Sequence, residues 1–211
     1  MNTTSIELDK IYDLAFNVLK KYGCDEFNAE AVATTVTNAE RDGSVSHGLF
    51  RIPGYVSSLK SKKVKGNSKP SNIYLSQNAI RVEGDYGFAP VAIKVGIPAL
   101  IETTKKHGVG VLTITNTHHF AALWHETETL AEKNLIGIAC TAYKPSVAPA
   151  GAKKPLFGTN PISFAWPRKN NTPVVYDMAT STMAMGEVQV AARDGHKVPF
   201  GTGLNKDGKK N

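Results

Sequence analysis

The sequence predicts an α/β protein in which a helical N-terminal layer precedes a mixed, sheet-centred domain. Three observations predict it: two short amphipathic helical patterns before residue 43, a lysine-, glycine- and proline-marked stretch ending near residue 72, and β-rich runs alternating with helical ones beyond it. The expected organisation is therefore a helical segment over 1–72 and a sheet-centred domain over 73–211.

The first helix is expected to open on Thr4-Ser5-Ile6-Glu7, a capping box in which the threonine and glutamate side chains satisfy each other's free backbone N–H groups. Ile6, Ile11, Leu14, Val18 and Leu19 then recur at helical spacing, and Gly23 supplies a left-handed stop. A second helix runs from about Asn28, with Ala29, Val32, Ala33, Val36 and Ala39 on one face and Gly43 at its end. Pro53 opens a third, carrying Tyr55, Val56 and Leu59. After the lysine-rich stretch, 73–75 and 79–82 read as strands, 90–106 as a helix and 109–115 as a strand. A helix over 121–134 leads into a strand at 136–142, with shorter strand candidates at 162–166, 174–176 and Val188–Ala192. The end, Gly201–Asn211, reads as loop.

Lys+Arg 25 against Asp+Glu 18 leaves +7, but much of the excess lies in 60–69 and 206–210, lysine runs broken by glycine and serine. Such runs are solvated loops; nucleic-acid binding calls for arginine and aromatic residues interleaved on one surface, which neither supplies. A hydrophobic share of 41% excludes intrinsic disorder, and no apolar run reaches the length of a membrane span. The start, MNTTSIELDK, lacks the apolar stretch of a secretory leader, and Cys24 and Cys140 form no CxxC, so a reducing cytoplasm is the expected compartment. Gly108-Val109-Gly110 lacks a third glycine and precedes a strand instead of following one, which excludes a dinucleotide fingerprint of the Rossmann kind. No phosphate-binding loop or nucleophile elbow occurs, and His118, His119 and His125 lack companions at metal-ligand spacing, so no metal is expected.

Four polar clusters remain. In Ser44–Arg51 (SVSHGLFR) an imidazole with a hydroxyl neighbour stands four residues from a guanidinium, which pairs a proton carrier with a carboxylate clamp; a capping serine with surface histidine and arginine is the plainer reading. Asn116–Ala121 (NTHHFA) sits where a strand gives way to a helix, a place suited to an anion or to simple capping. Gly151–Pro161 is a stiff loop with available amides, and Tyr176–Ser181 followed by Met185-Gly186-Glu187 puts small hydroxylated residues after a strand.

In this order, SHGLFRIPGYV, NTHHFAALW, GAKKPLFGTNPISFA and YDMATSTMAMGEVQVAAR resemble the type-2 malate/L-lactate dehydrogenases, NAD(P)-dependent oxidoreductases whose cofactor domain is sheet-centred and not of the Rossmann kind. HHFAALW and MAMGEVQVAAR are particularly similar to the branch of Δ1-piperideine-2-carboxylate/Δ1-pyrroline-2-carboxylate reductases. The resemblance implies His47 as proton donor, with Ser46 paired to it and Glu187 as third member of a relay; reductases of this branch usually carry Asp there, so the carboxylate is displaced by roughly an Ångström. It implies Arg51 and Thr159 as substrate contacts. It also implies His119, Phe120, Ala121, Ala122 and Leu123, together with Asp177, Met178, Ala179, Thr180 and Ser181, as dinucleotide contacts.

The implied activity is NADPH-dependent reduction (NADH being a possible substitute) of the cyclic imino acids Δ1-piperideine-2-carboxylate to L-pipecolate and Δ1-pyrroline-2-carboxylate to L-proline, by a homodimer acting on small carboxylates. The alternatives are a 2-hydroxy-acid dehydrogenase acting on malate, lactate, ureidoglycolate or a keto-sugar acid, or an inactive truncated homologue. Family members continue past the segment matching Gly203–Lys210 into a glycine-rich stretch, so the sequence is expected to lack the C-terminal third.

Overall fold

The computed structural model describes residues 4–205 and 207–210, in two compact units, 1–125 and 126–211. In the first, α1 (Leu8–Lys21), α2 (Glu26–Arg41) and α3 (Ile52–Lys60) pack around a shared core. Ala15 and Leu19 of α1, Ala29, Val32, Ala33 and Val36 of α2, and Tyr55 and Leu59 of α3 meet there with Phe88 and Val91. The apolar face expected for α2 is thus the buried one. Asp25 caps this helix, its carboxylate accepting the Asn28 N–H at 2.8 Å.

The expected capping box does not form. Residues 4–7 precede α1, whose N-cap is Glu7, without a side-chain capping bond. The buried stripe, Ile11, Ala15 and Leu19, starts only in the second turn, while Ile6 and Leu14 are exposed. An extra turn at 4–7 has no apolar surface to cover, and propensity alone does not nucleate one.

β1 (Ser71–Tyr74), β2 (Ala79–Glu83) and β3 (Val111–Thr115) form a mixed sheet in that order, β1 antiparallel and β3 parallel to β2. α4 (Ala89–His107) makes the crossover from β2 to β3 and packs on the sheet, over the buried Ile80 and Val82. The lysine-rich stretch lies inside this unit, and the division falls at 125/126 instead of 72. Asp25 donates its N–H to the Gly66 carbonyl, Ser68 and Asn28 exchange hydrogen bonds of 2.6 and 3.0 Å, Lys65 N–H reaches the Tyr86 carbonyl, and Val64 enters the core. Lysine side chains mark a solvated rim, but the backbone between them is held on both sides. Composition reports only the first.

In the second unit β4 (Gly137–Cys140), β5 (Ile162–Arg168) and β6 (Asn171–Met178) form an antiparallel meander, so the strands make two three-stranded sheets. α5 (Trp124–Glu132) begins three residues later than expected and covers one face through Thr127, whose hydroxyl meets that of Ser163 at 2.7 Å; Ser163 in turn donates to the Tyr176 carbonyl. On the other face Ile138, Phe164 and Tyr176 stand in one row, with Trp166 opposite Val174, and Ile138 is 68% exposed. The strand expected at Val188–Ala192 is instead part of a helix, α6 (Met185–Arg193). Val188 and Val190 imitate a strand's alternation, but Gly195, with φ +69°, lets the His196 N–H return to the Ala191 carbonyl, a helix-terminating turn that a strand has no use for. No described helix is long and apolar enough to cross a membrane.

Candidate active site

His47 closes a 3-10 turn, Val45–His47, and a second one, Leu49–Arg51, leads directly into α3. The two turns are fixed from α2: the Glu40 carboxylate accepts the Leu49 N–H at 2.6 Å, and a Cβ at position 48 would displace that carboxylate. His47 Nδ1 lies 2.9 Å from the Ser46 hydroxyl and 3.3 Å from that of Ser44. Burial, aided by the Arg51 guanidinium, pushes His47 down to about 4, so the ring is neutral at neutral pH.

The second cluster joins the first within the same unit. Past β3 the chain continues beside the segment entering α4, with Tyr86 N–H bonded to Asn116 O, His118 N–H to Gly87 O and Ala89 N–H to His118 O. This brings His118 and His119 against α3, whose Tyr55 and Ser58, three residues apart, share a face. Ser58 Oγ lies 3.1 Å from His118 Nε2, and the Tyr55 phenol 3.1 Å from His119 Nδ1. Burial chiefly, then Arg51, His47 and His118, push His119 down to about 3; burial also lowers His118. Burial holds the Tyr55 phenol up at about 12, although Arg51 opposes the shift. The Arg51 charge thus acts on His47, Tyr55 and His119, and His47 acts on His119, so these groups, with Ser46 bonded to His47 and Tyr55 to His119, share one electrostatic neighbourhood. Phe120 follows, half-buried, and Ala121, Ala122 and Leu123 are buried ahead of α5.

The remaining expected residues lie in the second unit. Thr159 is buried, and Thr180 ties to its loop: Thr180 N–H donates to the Thr159 carbonyl at 2.9 Å, and its hydroxyl to the Asn160 carbonyl at 2.9 Å. Ser181 donates to the Met183 carbonyl, so the segment leaving the end of β6 is braced, with Met178 exposed and Ala179 half-buried. Asp177 is opposite Ser163 in the sheet. Glu187 is exposed in the first turn of α6.

Sequence reasoning missed three residues. Glu40 drew no reading from the sequence, and Tyr55 only that of a residue on the third helix. A buried phenol needs a hydrogen-bond partner, which was the available signal for Tyr55. Glu126 is the third, 9% exposed in the first turn of α5 with Oε2 unpartnered among the described residues. Burial, reinforced by the Asp177 charge, pushes it up to about 8.

The family pattern described as malate/L-lactate dehydrogenase matches residues 6–211. The chain belongs to the malate/L-lactate dehydrogenase family. Within it, the chain is 42% identical over 203 residues to a Δ1-pyrroline-2-carboxylate/Δ1-piperideine-2-carboxylate reductase of Pseudomonas putida, covering 96% of this chain and 60% of that one. It is 39% identical over 201 residues to the reductase of the same name from Pseudomonas aeruginosa, covering 95% and 60%. The crystal structure of Δ1-piperideine-2-carboxylate reductase from Pseudomonas syringae pv. tomato superposes with a TM-score of 0.93 at 40% identity, over 99% of this chain and 63% of that one. Malate dehydrogenase from Entamoeba histolytica also gives 0.93, at 30% identity, covering 99% and 58%. The chain spans about 60% of the length of the curated relatives it matches.

Malate/L-lactate dehydrogenases use a nicotinamide dinucleotide, and the residues here suit one in chemical type. His119 is half-buried, with no partner for Nε2 among the described residues, and Ala121 and Ala122 put small side chains just before the start of α5. Small residues permit close approach to the backbone, and a neutral N–H complements a carbonyl or phosphate oxygen.

Proposed function

We propose that this chain carries the substrate-gripping and proton-donating machinery of an NADPH-dependent reductase of cyclic imino acids, with NADH as a possible substitute. The observation that carries the reading is the grouping of Arg51, His47 and His119, with His47 anchored on the Ser46 hydroxyl at 2.9 Å. Similarity to the reductases supports the substrate class, and the family resemblance supports a cytoplasmic homodimer as part of the same proposal.

Arg51 takes the substrate carboxylate in its planar fork and so orients the C=N carbon. The same carboxylate brings a negative charge near His47 that opposes the burial chiefly depressing it and the lesser effect of the Arg51 guanidinium, so that the imidazole can hold a proton. His47 passes this proton to the ring nitrogen as the C=N bond becomes C–N. Ser46 holds Nδ1, leaving Nε2 as the transferring atom; Glu187 is the proposed third member of the relay. NADPH, when bound, supplies the hydride that adds to the substrate carbon. His119–Leu123 and Asp177–Ser181 are the proposed dinucleotide contacts, and Thr159 a substrate contact.

One observation favours a second reading. A neutral His47 is also a ready base for the hydroxyl of a 2-hydroxy acid, the substrate class of a malate dehydrogenase, so oxidation in the same site is the alternative. A panel of Δ1-piperideine-2-carboxylate, Δ1-pyrroline-2-carboxylate, malate and lactate, each with both nicotinamide cofactors, decides between them. Turnover of the imines with NADPH supports the first reading, and turnover of hydroxy acids alone supports the second. Arg51→Ala should raise the KM for the imine about 10- to 100-fold with a smaller change in kcat, because a charge-assisted bond already formed in the ground state is lost. An unchanged KM in steady-state assays would remove Arg51 from the substrate site.

A further inference from the structure

The phenol of Tyr55 is placed to control the ring of His119. Tyr55 is 4% exposed, packs edge-on against Phe88 at 5.0 Å and against the His119 ring at 5.5 Å, and makes its one hydrogen bond among the described residues to His119 Nδ1. His119 itself sits at φ +54°, a left-handed conformation uncommon outside glycine and one that histidine adopts more readily than most residues. The backbone bond from His118 N–H to Gly87 O and the bridge between Phe88 and His118 hold the chain there.

A neutral imidazole carries one proton, on Nδ1 or on Nε2, and the partner of one nitrogen decides which. With the proton on Nδ1, the bond would run from His119 to the phenol oxygen, and the buried phenol O–H would have no acceptor among the described residues. With the phenol donating to Nδ1, the buried phenol O–H is satisfied and the proton lies on Nε2, which is not among the fully buried atoms left without a partner. Burial favours this second arrangement, since an unmade buried hydrogen bond is the costly state.

We propose that Tyr55 is a positioning residue: its O–H fixes His119 as the Nε2–H tautomer, so that His119 presents a neutral N–H donor beside Arg51 to an oxygen of the bound ligand. The ligand half rests on the functional reading above, with His119 among the dinucleotide contacts; the tautomer half does not. Arg51 supplies charge, and His119 supplies a directional donor without adding a second positive charge. A site for an oxygen-rich, anionic molecule gains orientation from such a pair.

The test is nitrogen NMR of the ¹⁵N-histidine-labelled full chain and of Tyr55→Phe, with His119→Gln to assign the signals. The wild-type His119 should show protonated Nε2 and bare, hydrogen-bonded Nδ1. In Tyr55→Phe the Nδ1 resonance should move and a mixture of tautomers appear, while exposed His107 and His196 keep their signals. Protonated Nδ1 in the wild type, or His119 resonances unchanged in a folded Tyr55→Phe, would overturn the proposal. If the variant does not fold, the wild-type spectrum alone decides the tautomer. NADPH titration followed by fluorescence should give binding about 3- to 10-fold weaker in Tyr55→Phe. Equal binding overturns the ligand half. No NADPH binding by the wild type overturns the functional reading and the ligand half together, and the nitrogen spectrum still decides the role of Tyr55.

Discussion

His47→Ala is expected to lower turnover of Δ1-piperideine-2-carboxylate by about 10² to 10⁴, the contribution of a well-placed proton donor. The ring is held on the Ser46 hydroxyl within a turn that Glu40 tethers, so removing it deletes the proton carrier and leaves its support in place. Arg51 stays to grip the carboxylate, so KM should change much less than kcat. The proposed dinucleotide contacts belong to other segments, and NADPH titration of the variant should give a Kd close to that of the wild type. Steady-state kinetics at saturating NADPH measures the first quantity, and fluorescence quenching the second. Turnover equal to the wild type's would end the assignment of His47; loss of NADPH binding together with turnover would mean that the substitution had damaged the fold. The contrast with Arg51→Ala, where KM carries the effect, separates a proton donor from an anchor.

Stability should peak near pH 6.5 and fall on both sides, for reasons located in different units. His47 and His119 are held near 4 and 3, so between about pH 6.5 and these values the unfolded chain binds protons that the folded one refuses. Stability is therefore lost as pH falls through this window, by a few kcal/mol in order of magnitude for the two rings. Glu126 works in the opposite sense. Held near 8 by burial and by Asp177, it keeps its proton while the unfolded carboxyl has ionised, so its contribution declines as pH rises from about 4.5 to 8. Between 4.5 and 6.5 two histidines oppose one carboxyl and prevail; above 6.5 the carboxyl acts alone. Urea or thermal unfolding from pH 4 to pH 9 should trace this dome, and Glu126→Gln should flatten its alkaline side, since the amide never ionises. A midpoint that does not fall between pH 6.5 and 8, or a Gln variant with the wild-type slope, would contradict the account.

The helices α2, α3 and α4 and the strands β1 to β6 were legible because apolar spacing and turn residues act locally, within a few positions of each other. Val188–Ala192 misled because two valines alternate like a strand; the Gly195 stop was the stronger signal. The capping box misled because a cap stabilises only a turn that also has something to cover. The lysine-rich stretch misled because side-chain composition does not reveal that the backbone beneath Lys65, Gly66 and Ser68 is bonded to α2 and to Tyr86.

For the site, sequence alone fixed the residue types and their order: Ser46 beside His47, and Arg51 four positions on. It did not determine that His119, more than sixty residues away, stands beside them, nor that Tyr55 ends on its Nδ1. Those facts depend on α3 packing against the segment that leaves β3, a contact between distant parts of the chain. The neutral state of both imidazoles and the retained proton of Glu126 depend on how much water the packed fold excludes. Local spacing could name the groups, but their charges and partners are set by burial, which exists only once the chain has folded.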